Sequence, residues 1–408
     1  MCINIVSAAQ SLQAMKGMII RMKKDLELYI HIPFCARKCN YCDFLSGQAS
    51  QDEMLKYTDF LCKEIKNQGS LPLEYRVVSI FFGGGTPSLL PLEQIGRIFD
   101  KIKECFEIVP TCEITIECNP GTVTKDKLFG YYNLEINRLS FGLQSANNEE
   151  LRLLGRIHTF EEFVENYEHA REVGFQNINI DLMSALPYQN LESYETTLEK
   201  VLKLKPEHIS AYSLILEEGT SFYERFSEHG DEKDAIPDVI LDRLMYEHTK
   251  EILLSHGYNR YEISNYAKPG RECLHNIGYW RRIDYLGLGL GSSSLLDHVR
   301  YRNLDTMNEY EKALKSSLKV RQVEEMLSKN AEMEEFMFLG LRLSKGVSKK
   351  EFEQQFLVSM DEIYGTKLME LQKNGLLMID EVYVSLTDRG IDVSNQVLVE
   401  FLLDDTVI

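Results

Sequence analysis

Residues 29–44 read YIHIPFCARKCNYCDF, and three cysteines in a C-x3-C-x2-C spacing directly follow an apolar run. The spacing brings the thiolates of Cys35, Cys39 and Cys42 onto one short loop at the end of a predicted strand. A structural zinc site or a complete iron–sulfur site takes four protein ligands. The nearby His31 lies within the strand and is a poor fourth ligand. Three cysteines therefore predict a 4Fe–4S cluster with one iron open to a small molecule, and zinc is the alternative.

The sequence on both sides of this loop alternates short apolar runs, which predict strands, with longer segments that predict helices. The predicted strands cover residues 26–32, 77–82, 113–117, 138–141, 177–182 and 208–213. The predicted helices include residues 51–68, 92–105, 159–173 and 193–203. Six strand–loop–helix units predict an α/β fold, a partial (β/α)6 TIM-like barrel with function at the carboxyl ends of the strands. A doubly wound open sheet is the structural alternative.

The pattern changes twice more along the chain, and these changes set the predicted domain boundaries. Residues 1–25 precede the first strand and are expected to form a loose leader, and residues 26–216 contain the barrel. Residues 217–325 mix helical and strand-like patterns and are expected to extend the barrel. Helices followed by a hairpin over residues 326–408 predict a small winged-helix-like domain with an interaction or capping role.

Composition bounds the class of protein. A formal net charge of −18 over 408 residues argues against a nucleic-acid-binding face, because phosphate contacts need clustered Lys and Arg. No apolar run approaches the roughly 18–20 residues of a membrane span, and the first residues lack the pattern of a secretory signal. We therefore predict a cytoplasmic protein, in which a tight cysteine group indicates a metal or redox site.

Polar residues recur where the predicted strands end, which is where a barrel binds its ligand. A Gly-Gly-Gly-Thr run at residues 83–86 follows the second strand, and glycine lets the backbone approach a ligand closely. Glu117 ends the third strand and Asp181 lies in the fifth. Gln144 and Arg156 follow the fourth strand. Each residue alone is typical of a cap or a surface group, but together they predict one site.

These motifs resemble the radical S-adenosylmethionine (SAM) superfamily, in which an aromatic residue, here Tyr41, precedes the third cysteine. In that superfamily the open iron chelates the amino and carboxylate groups of SAM, and reduction of the cluster cleaves SAM to a 5′-deoxyadenosyl radical. The resemblance implies a 4Fe–4S cluster and SAM as cofactors. It implies SAM contacts at nine positions, namely Tyr29, Tyr41, Gly84, Gly85, Thr86, Glu117, Gln144, Arg156 and Asp181.

Within the superfamily, nearly the whole chain resembles the oxygen-independent coproporphyrinogen III dehydrogenases and their relatives. Two features differ from the dehydrogenase itself, since Phe44 stands where that enzyme has a further cysteine and the segment before the cluster strand is short. The element His275-Asn-Ile-Gly-Tyr-Trp280 resembles the haem chaperone branch instead. Two enzymatic alternatives stay open, namely oxidative decarboxylation of a porphyrinogen and another modification of a tetrapyrrole. No catalytic residue is assigned.

The haem chaperone branch implies haem as cargo and haem proteins as acceptors, including respiratory proteins at a membrane, where the chain would be peripheral during delivery. It also implies His275 as a haem ligand, because a neutral imidazole binds haem iron well and aromatic neighbours pack on a porphyrin. On the residues alone, a structural histidine beside the only tryptophan is the stronger interpretation. A homodimer is compatible with the sequence.

Overall fold

Six parallel strands form a curved sheet, because apolar side chains alternate along each strand and one set packs against helices outside it. The computed structural model describes residues 23–403. The six strands are β1 (Lys24–Ile32), β2 (Tyr75–Gly84), β3 (Glu107–Cys118), β4 (Arg138–Gln144), β5 (Ile178–Ser184) and β6 (His208–Ser213). They pair in chain order and in parallel, so all six carboxyl ends lie at one rim. This order confirms the partial barrel and rules out the doubly wound alternative, in which the strand order reverses.

Helices cover the outer face of this sheet. They are α1 (Gln51–Lys66), α2 (Leu71–Glu74), α3 (Leu92–Cys105), α4 (Lys125–Asn133), α5 (Asn148–Leu153), α6 (Phe160–Val173) and α7 (Leu191–Leu204). In α3, Ile95, Ile98 and Ile102 recur at helical spacing and are buried in the main core. Gly174 ends α6 with a φ of 119°, the left-handed conformation that glycine adopts without strain.

Residues after β6 extend the sheet at both edges to 12 strands. The added strands are β7 (Asn259–Arg260), β8 (Asn265–Ala267), β9 (Tyr285–Leu288), β10 (Ser293–Leu296), β11 (Val299–Asn303) and β12 (Arg321–Met326). The added helices are α8 (Ser221–Phe226), α9 (Val239–Ser255), α10 (Leu274–Trp280) and α11 (Met307–Lys315). β8 pairs antiparallel with β6, whereas β9 pairs parallel with β1. β1 and β6 therefore each have another neighbour, and the barrel stays open between them.

The last part of the chain packs around an apolar cluster of its own, which includes Met333, Phe352, Tyr364 and Phe401. Its elements are α12 (Lys329–Gly340), β13 (Val347–Ser348), α13 (Lys349–Phe356), α14 (Met360–Lys373), β14 (Leu377–Ile379), β15 (Tyr383–Leu386), α15 (Asp388–Asp392) and α16 (Ser394–Leu398). The helices α12, α13 and α14 together with a three-stranded sheet in the order β13-β15-β14 give the winged-helix-like arrangement that the sequence predicted.

Ion pairs join this last part to the barrel extension. Arg282 Nε lies 2.9 Å from Glu335 Oε2, and Arg300 pairs with the other carboxylate oxygen of Glu335. Residues 1–22 of the predicted leader lie outside the described residues, and β1 already begins at Lys24. Among residues 23–403, no helix combines the length and the apolar character that a membrane crossing requires.

Candidate functional site

A pocket of about 310 Å³ opens at the rim where the carboxyl ends of the six strands meet. It is lined by the three predicted cluster ligands, Cys35, Cys39 and Cys42. It also contains all but one of the positions implied as SAM contacts: Tyr41, Gly84, Gly85, Thr86, Glu117, Gln144, Arg156 and Asp181. The structure therefore brings together residues that lie almost 150 positions apart in the sequence, because a barrel collects the carboxyl ends of all its strands at one rim.

The cysteine loop is held at both of its ends by backbone hydrogen bonds. Cys35 N–H donates to the Gly47 carbonyl at 2.9 Å, and Gly47 N–H donates to the Pro33 carbonyl at 3.0 Å. At the middle of the loop, Asn40 N–H donates to the Leu154 carbonyl at 3.0 Å, just after α5. These bonds fix the loop against β1 and α5, so its sulfur atoms keep a constant position relative to the pocket.

Two pocket side chains reach the sulfur atoms directly. Thr86 Oγ1 donates to Cys35 Sγ at 3.5 Å, and Arg156 Nη1 donates to Cys39 Sγ at 3.5 Å. Burial, reinforced by the neighbouring sulfurs, raises the pKa of Cys42 to about 11. In a bound cluster, iron takes the place of the thiol proton of each cysteine, because thiolates are the ligands of iron–sulfur centres.

The same residues bear on the zinc alternative. Within residues 23–403, no three His, Cys, Asp or Glu side chains are grouped closely enough to hold a single metal ion. A zinc ion needs all its ligands within about 2.3 Å of one point. A cluster instead binds each sulfur to a different iron atom, so its three cysteines can stand farther apart. The three cysteines that line the pocket meet the ligand requirement of a cluster with one open iron.

The glycines at the carboxyl end of β2 lie too close to neighbouring residues to carry a side chain. Gly84 has a φ of +116°, and a Cβ there would lie 2.7 Å from the ring of His31. A Cβ on Gly85 would lie 2.7 Å from the carbonyl oxygen of Phe34, the residue directly before Cys35. Gly84 N–H points to Glu117 Oε2 at 3.2 Å. The glycines thus let β2 approach the start of the cysteine loop closely.

Acidic groups dominate the inner wall of the pocket. Burial and the nearby charge of Asp181 raise the pKa of Glu117 to about 8, and burial also raises the pKa of Asp181. Asn179 Nδ2 donates to Asp181 at 2.7 Å, and Ser140 Oγ donates to it at 3.3 Å. A bound ligand with a positive charge would relieve the repulsion between the two carboxylates, and SAM carries such a charge on its sulfonium and its amino group.

Arg156 is held by groups that the sequence did not indicate. Its Nη2 donates to Asn119 Oδ1 and to the Gly142 carbonyl, both at 2.5 Å. Asn119 follows Glu117 by two positions, a spacing that continues the same face of β3 into the pocket. Tyr212 at the end of β6 was missed as well, although it lines the pocket and donates to Gln144 Oε1 at 3.4 Å.

Tyr29 lies below the pocket rather than in its wall. Its hydroxyl meets His31 Nδ1 at 3.2 Å, and its ring stacks on Phe81. The SAM contact implied for Tyr29 stays a prediction, because Tyr29 does not line the pocket and lies behind it, beside His31 and close to Glu117.

His275 lies on α10, where it packs against Ser79 and Phe81 of β2, and it does not line the pocket that contains Cys35, Cys39 and Cys42. Its ring is buried, with Nδ1 at 2.8 Å from Ser79 Oγ and Nε2 at 3.0 Å from the Tyr279 hydroxyl. Burial and the charge of Arg138 lower the pKa of His275 to about 3, so the imidazole is neutral. Both ring nitrogens already have partners in this conformation. The haem-ligand role stays a prediction, and this geometry weighs against it.

Comparison with known proteins identifies the family. The model described as radical SAM superfamily matches residues 29–201, and the HemN C-terminal domain model matches residues 327–393. The haem chaperone HemW of Lactococcus lactis is 38% identical over 384 residues, covering 94% of this chain and 99% of the relative. The chain belongs to the HemW family. HemW of Bacillus subtilis is 35% identical, covering 92% of this chain and 98% of the relative.

Among solved structures, the coproporphyrinogen III oxidase HemN of Escherichia coli matches with a TM-score of 0.82 and 26% identity. The match covers 96% of this chain and 93% of that one. Membership in the HemW family confirms the predicted resemblance, and the HemN match confirms the fold. The predicted cofactors, a 4Fe–4S cluster and SAM, are those of the superfamily, and the donor set fits them. Soft sulfur ligands, a close glycine turn and buried polar groups all meet in one pocket.

Proposed function

We propose that the chain binds haem and passes it to acceptor proteins, and that it carries a 4Fe–4S cluster and SAM. The observation that supports this most strongly is 38% identity to a haem chaperone over 94% of the chain, together with a complete cysteine pocket. In this proposal Cys35, Cys39 and Cys42 hold three irons of the cluster, and SAM occupies the fourth. When bound, the cluster supplies an electron-transfer centre with one exchangeable coordination position.

Different polar groups around the cysteines suit different parts of the SAM molecule. Arg156 suits a carboxylate, because a guanidinium binds it through paired hydrogen bonds. Asp181 and Gln144 suit ribose hydroxyls, since carboxylate and amide oxygens accept from them. Gly84 and Gly85 line the pocket beside Glu117, a position that suits the amino group.

The mouth of the pocket suits a flat apolar anion such as haem. Phe44 and Ile215 line the mouth and are 62% and 69% exposed. Large apolar side chains this exposed are typical of binding surfaces when they lie beside one another. Arg37 and Lys38 line the same mouth and can pair with the propionates of a haem. Phe44 also takes the place of a further cysteine, which separates this loop from that of the dehydrogenase.

The acceptors in this proposal are haem proteins, including respiratory proteins at a membrane, so that the chain acts peripherally to the membrane during delivery. Two copies of the chain forming a homodimer would be consistent with the proposal. Size-exclusion chromatography of the cluster-loaded protein with and without SAM measures the oligomeric state. A single monomeric peak under both conditions would contradict a homodimer.

Haem titration of the anaerobically reconstituted protein tests the function. We expect saturable binding at one haem per chain, followed by transfer of that haem to an apo-haem protein on mixing, seen as a shift of the Soret band. Haem that binds without saturation, or stays on the chain in the presence of an acceptor, contradicts the proposal.

Variants on the motif helix, which is α10 (Leu274–Trp280), test whether His275 is the haem ligand. His275 can reach a haem iron only if its bonds to Ser79 and Tyr279 break. If His275 is the ligand, His275→Ala weakens haem binding and leaves the cluster absorbance and the melting temperature unchanged. If it is a structural residue, the same variant lowers the melting temperature. His256→Ala is the matched control, because His256 is exposed at the end of α9.

A further inference from the structure

A chain of hydrogen bonds runs through the barrel interior from the pocket to the start of the motif helix α10. Asn179 Nδ2 donates to Asp181 Oδ1 at 2.7 Å, and Asn179 Oδ1 lies 2.6 Å from His208 Nδ1. His208 Nε2 lies 2.8 Å from the Tyr261 hydroxyl. Cys273 N–H, at the N-cap of α10, donates to the Tyr261 oxygen at 3.3 Å. The first link lies within β5, and the later links join residues that are far apart in the sequence.

The direction of every bond in this chain is determined. Asn179 Nδ2 faces the Asp181 carboxylate and Ser140 Oγ, so it is the amide donor and Oδ1 is the acceptor. His208 must therefore donate from Nδ1. Burial and the charge of Arg138 hold the pKa of His208 well below its usual range, so the ring carries only this one proton. Nε2 then accepts from the Tyr261 hydroxyl, whose oxygen is left to accept from Cys273 N–H.

Asp181 depends on such fixed partners. It shares the pocket with Glu117, and like charges at short distance repel. No salt bridge to Asp181 occurs among the ion pairs of residues 23–403. Asn179, which is itself 2% exposed, and Ser140 donate hydrogen bonds to it, and the buried charge of Arg138 also stabilises its carboxylate. Oriented dipoles that are held by packing stabilise a buried carboxylate without neutralising it.

We infer that Asn179, His208 and Tyr261 are positioning residues, which hold Asp181 in place for SAM and join its placement to the motif helix. The inference rests on the proposed function only in taking Asp181 as a contact of SAM. These three residues lie outside the pocket and outside the cysteine and glycine motifs of the sequence. It also gives the motif helix a physical connection to the cofactor pocket at the opposite end of the barrel.

Tyr261→Phe removes one hydroxyl and keeps the ring, which packs edge-on against His208 with centroids 5.5 Å apart. The hydroxyl makes two hydrogen bonds, and the one to His208 is the link toward Asp181. Loss of that one buried hydrogen bond corresponds to about a 3- to 10-fold change in an equilibrium constant. We expect the dissociation constant of SAM, measured by equilibrium dialysis on the cluster-loaded protein, to rise by about this factor. Tyr266→Phe is the control, because Tyr266 is a buried neighbour whose hydroxyl takes no part in this chain of hydrogen bonds.

A double-mutant cycle separates positioning from a general effect on the fold. If Tyr261 acts through Asp181, Tyr261→Phe changes SAM affinity in the wild-type background and has little further effect beside Asp181→Asn. Equal weakening in both backgrounds overturns the inference, as does wild-type SAM affinity in Tyr261→Phe. Loss of the cluster absorbance or a large fall in melting temperature in Tyr261→Phe also counts against it. If Asp181→Asn alone binds SAM normally, the premise about Asp181 fails, whereas failure of haem transfer leaves this cycle unaffected.

Discussion

Adding one methyl group at Gly85 tests whether the close approach of β2 to the cysteine loop builds the site. The new Cβ would lie 2.7 Å from the Phe34 carbonyl oxygen and 3.0 Å from the Phe34 nitrogen. Ordinary contacts begin at 3.4 Å, so one backbone segment must move by about 0.7 Å. Gly85 N–H also donates to the Ile32 carbonyl at 2.9 Å, which ties both sides of the clash to β1. The strain therefore passes directly to Cys35.

We expect Gly85→Ala to destabilise the fold by about 1–3 kcal/mol, the usual cost of overpacking a close contact. The site should suffer more than the fold, because a misplacement of about 1 Å can cost around 100-fold in a geometry-dependent step. Iron and sulfide per chain after anaerobic reconstitution measure cluster loading, and equilibrium dialysis measures SAM binding. We expect both to fall, while thermal unfolding shows a folded protein.

Gly47→Ala is the matched control for this variant. Gly47 lies in the same loop, exchanges backbone bonds with Pro33 and Cys35, and has no atom within 4 Å of a new Cβ. It should load cluster and bind SAM as the wild type does. If Gly85→Ala also loads a full cluster and binds SAM normally, the close approach does not determine the position of the cysteine loop.

Substitutions at three further positions test the stability of the fold and the reduction potential of the cluster. Burial raises the pKa of Glu27 to about 9 from 4.5, so the unfolded chain releases this proton at lower pH than the folded one and stability falls as pH rises between these values. Glu27→Gln should remove this loss, worth about 3 kcal/mol near pH 7, in urea unfolding at pH 5 and 8. Glu335→Ala removes the nearer partner of the buried Arg282 and leaves it Glu332 at 4.0 Å, which should cost about 3 kcal/mol by the same assay. Arg156→Gln removes the cation beside Cys39, which should lower the midpoint potential of the cluster in an EPR-monitored titration, and Arg156→Lys should restore it.

The alternation of short apolar runs and amphipathic segments was sufficient to predict the barrel. α3 and β6 match the predicted residues 92–105 and 208–213 fully, because each buries its pattern against a neighbour within the same repeat. Strand-like patterns were noted within residues 217–325, but the antiparallel strands β10, β11 and β12 were not predicted. β12 (Arg321–Met326) reads RQVEEM and is almost wholly exposed, so it has no apolar alternation. Its structure depends on pairing with β11, which sequence periodicity does not report.

Part of the candidate site was likewise predicted from local sequence patterns, and part was not. The cysteine spacing and the glycine run are local patterns, and they predicted the centre of the pocket. Asn119 was missed because its role appears only when Arg156, 37 positions later in the chain, reaches back to it. The surroundings of His275 depend on Ser79, 196 positions away. Such long-range partners are set by topology, so a motif alone could not distinguish a buried structural histidine from an open ligand.

Supplying coproporphyrinogen III, SAM and a reductant to the cluster-loaded protein distinguishes a haem chaperone from a porphyrinogen dehydrogenase most directly. A parallel sample receives haem and an apo-haem protein in place of the porphyrinogen. We predict transfer of haem to the acceptor in the second sample and no protoporphyrinogen IX in the first. Formation of protoporphyrinogen IX with consumption of SAM, in a protein that does not transfer haem, would contradict the proposed function.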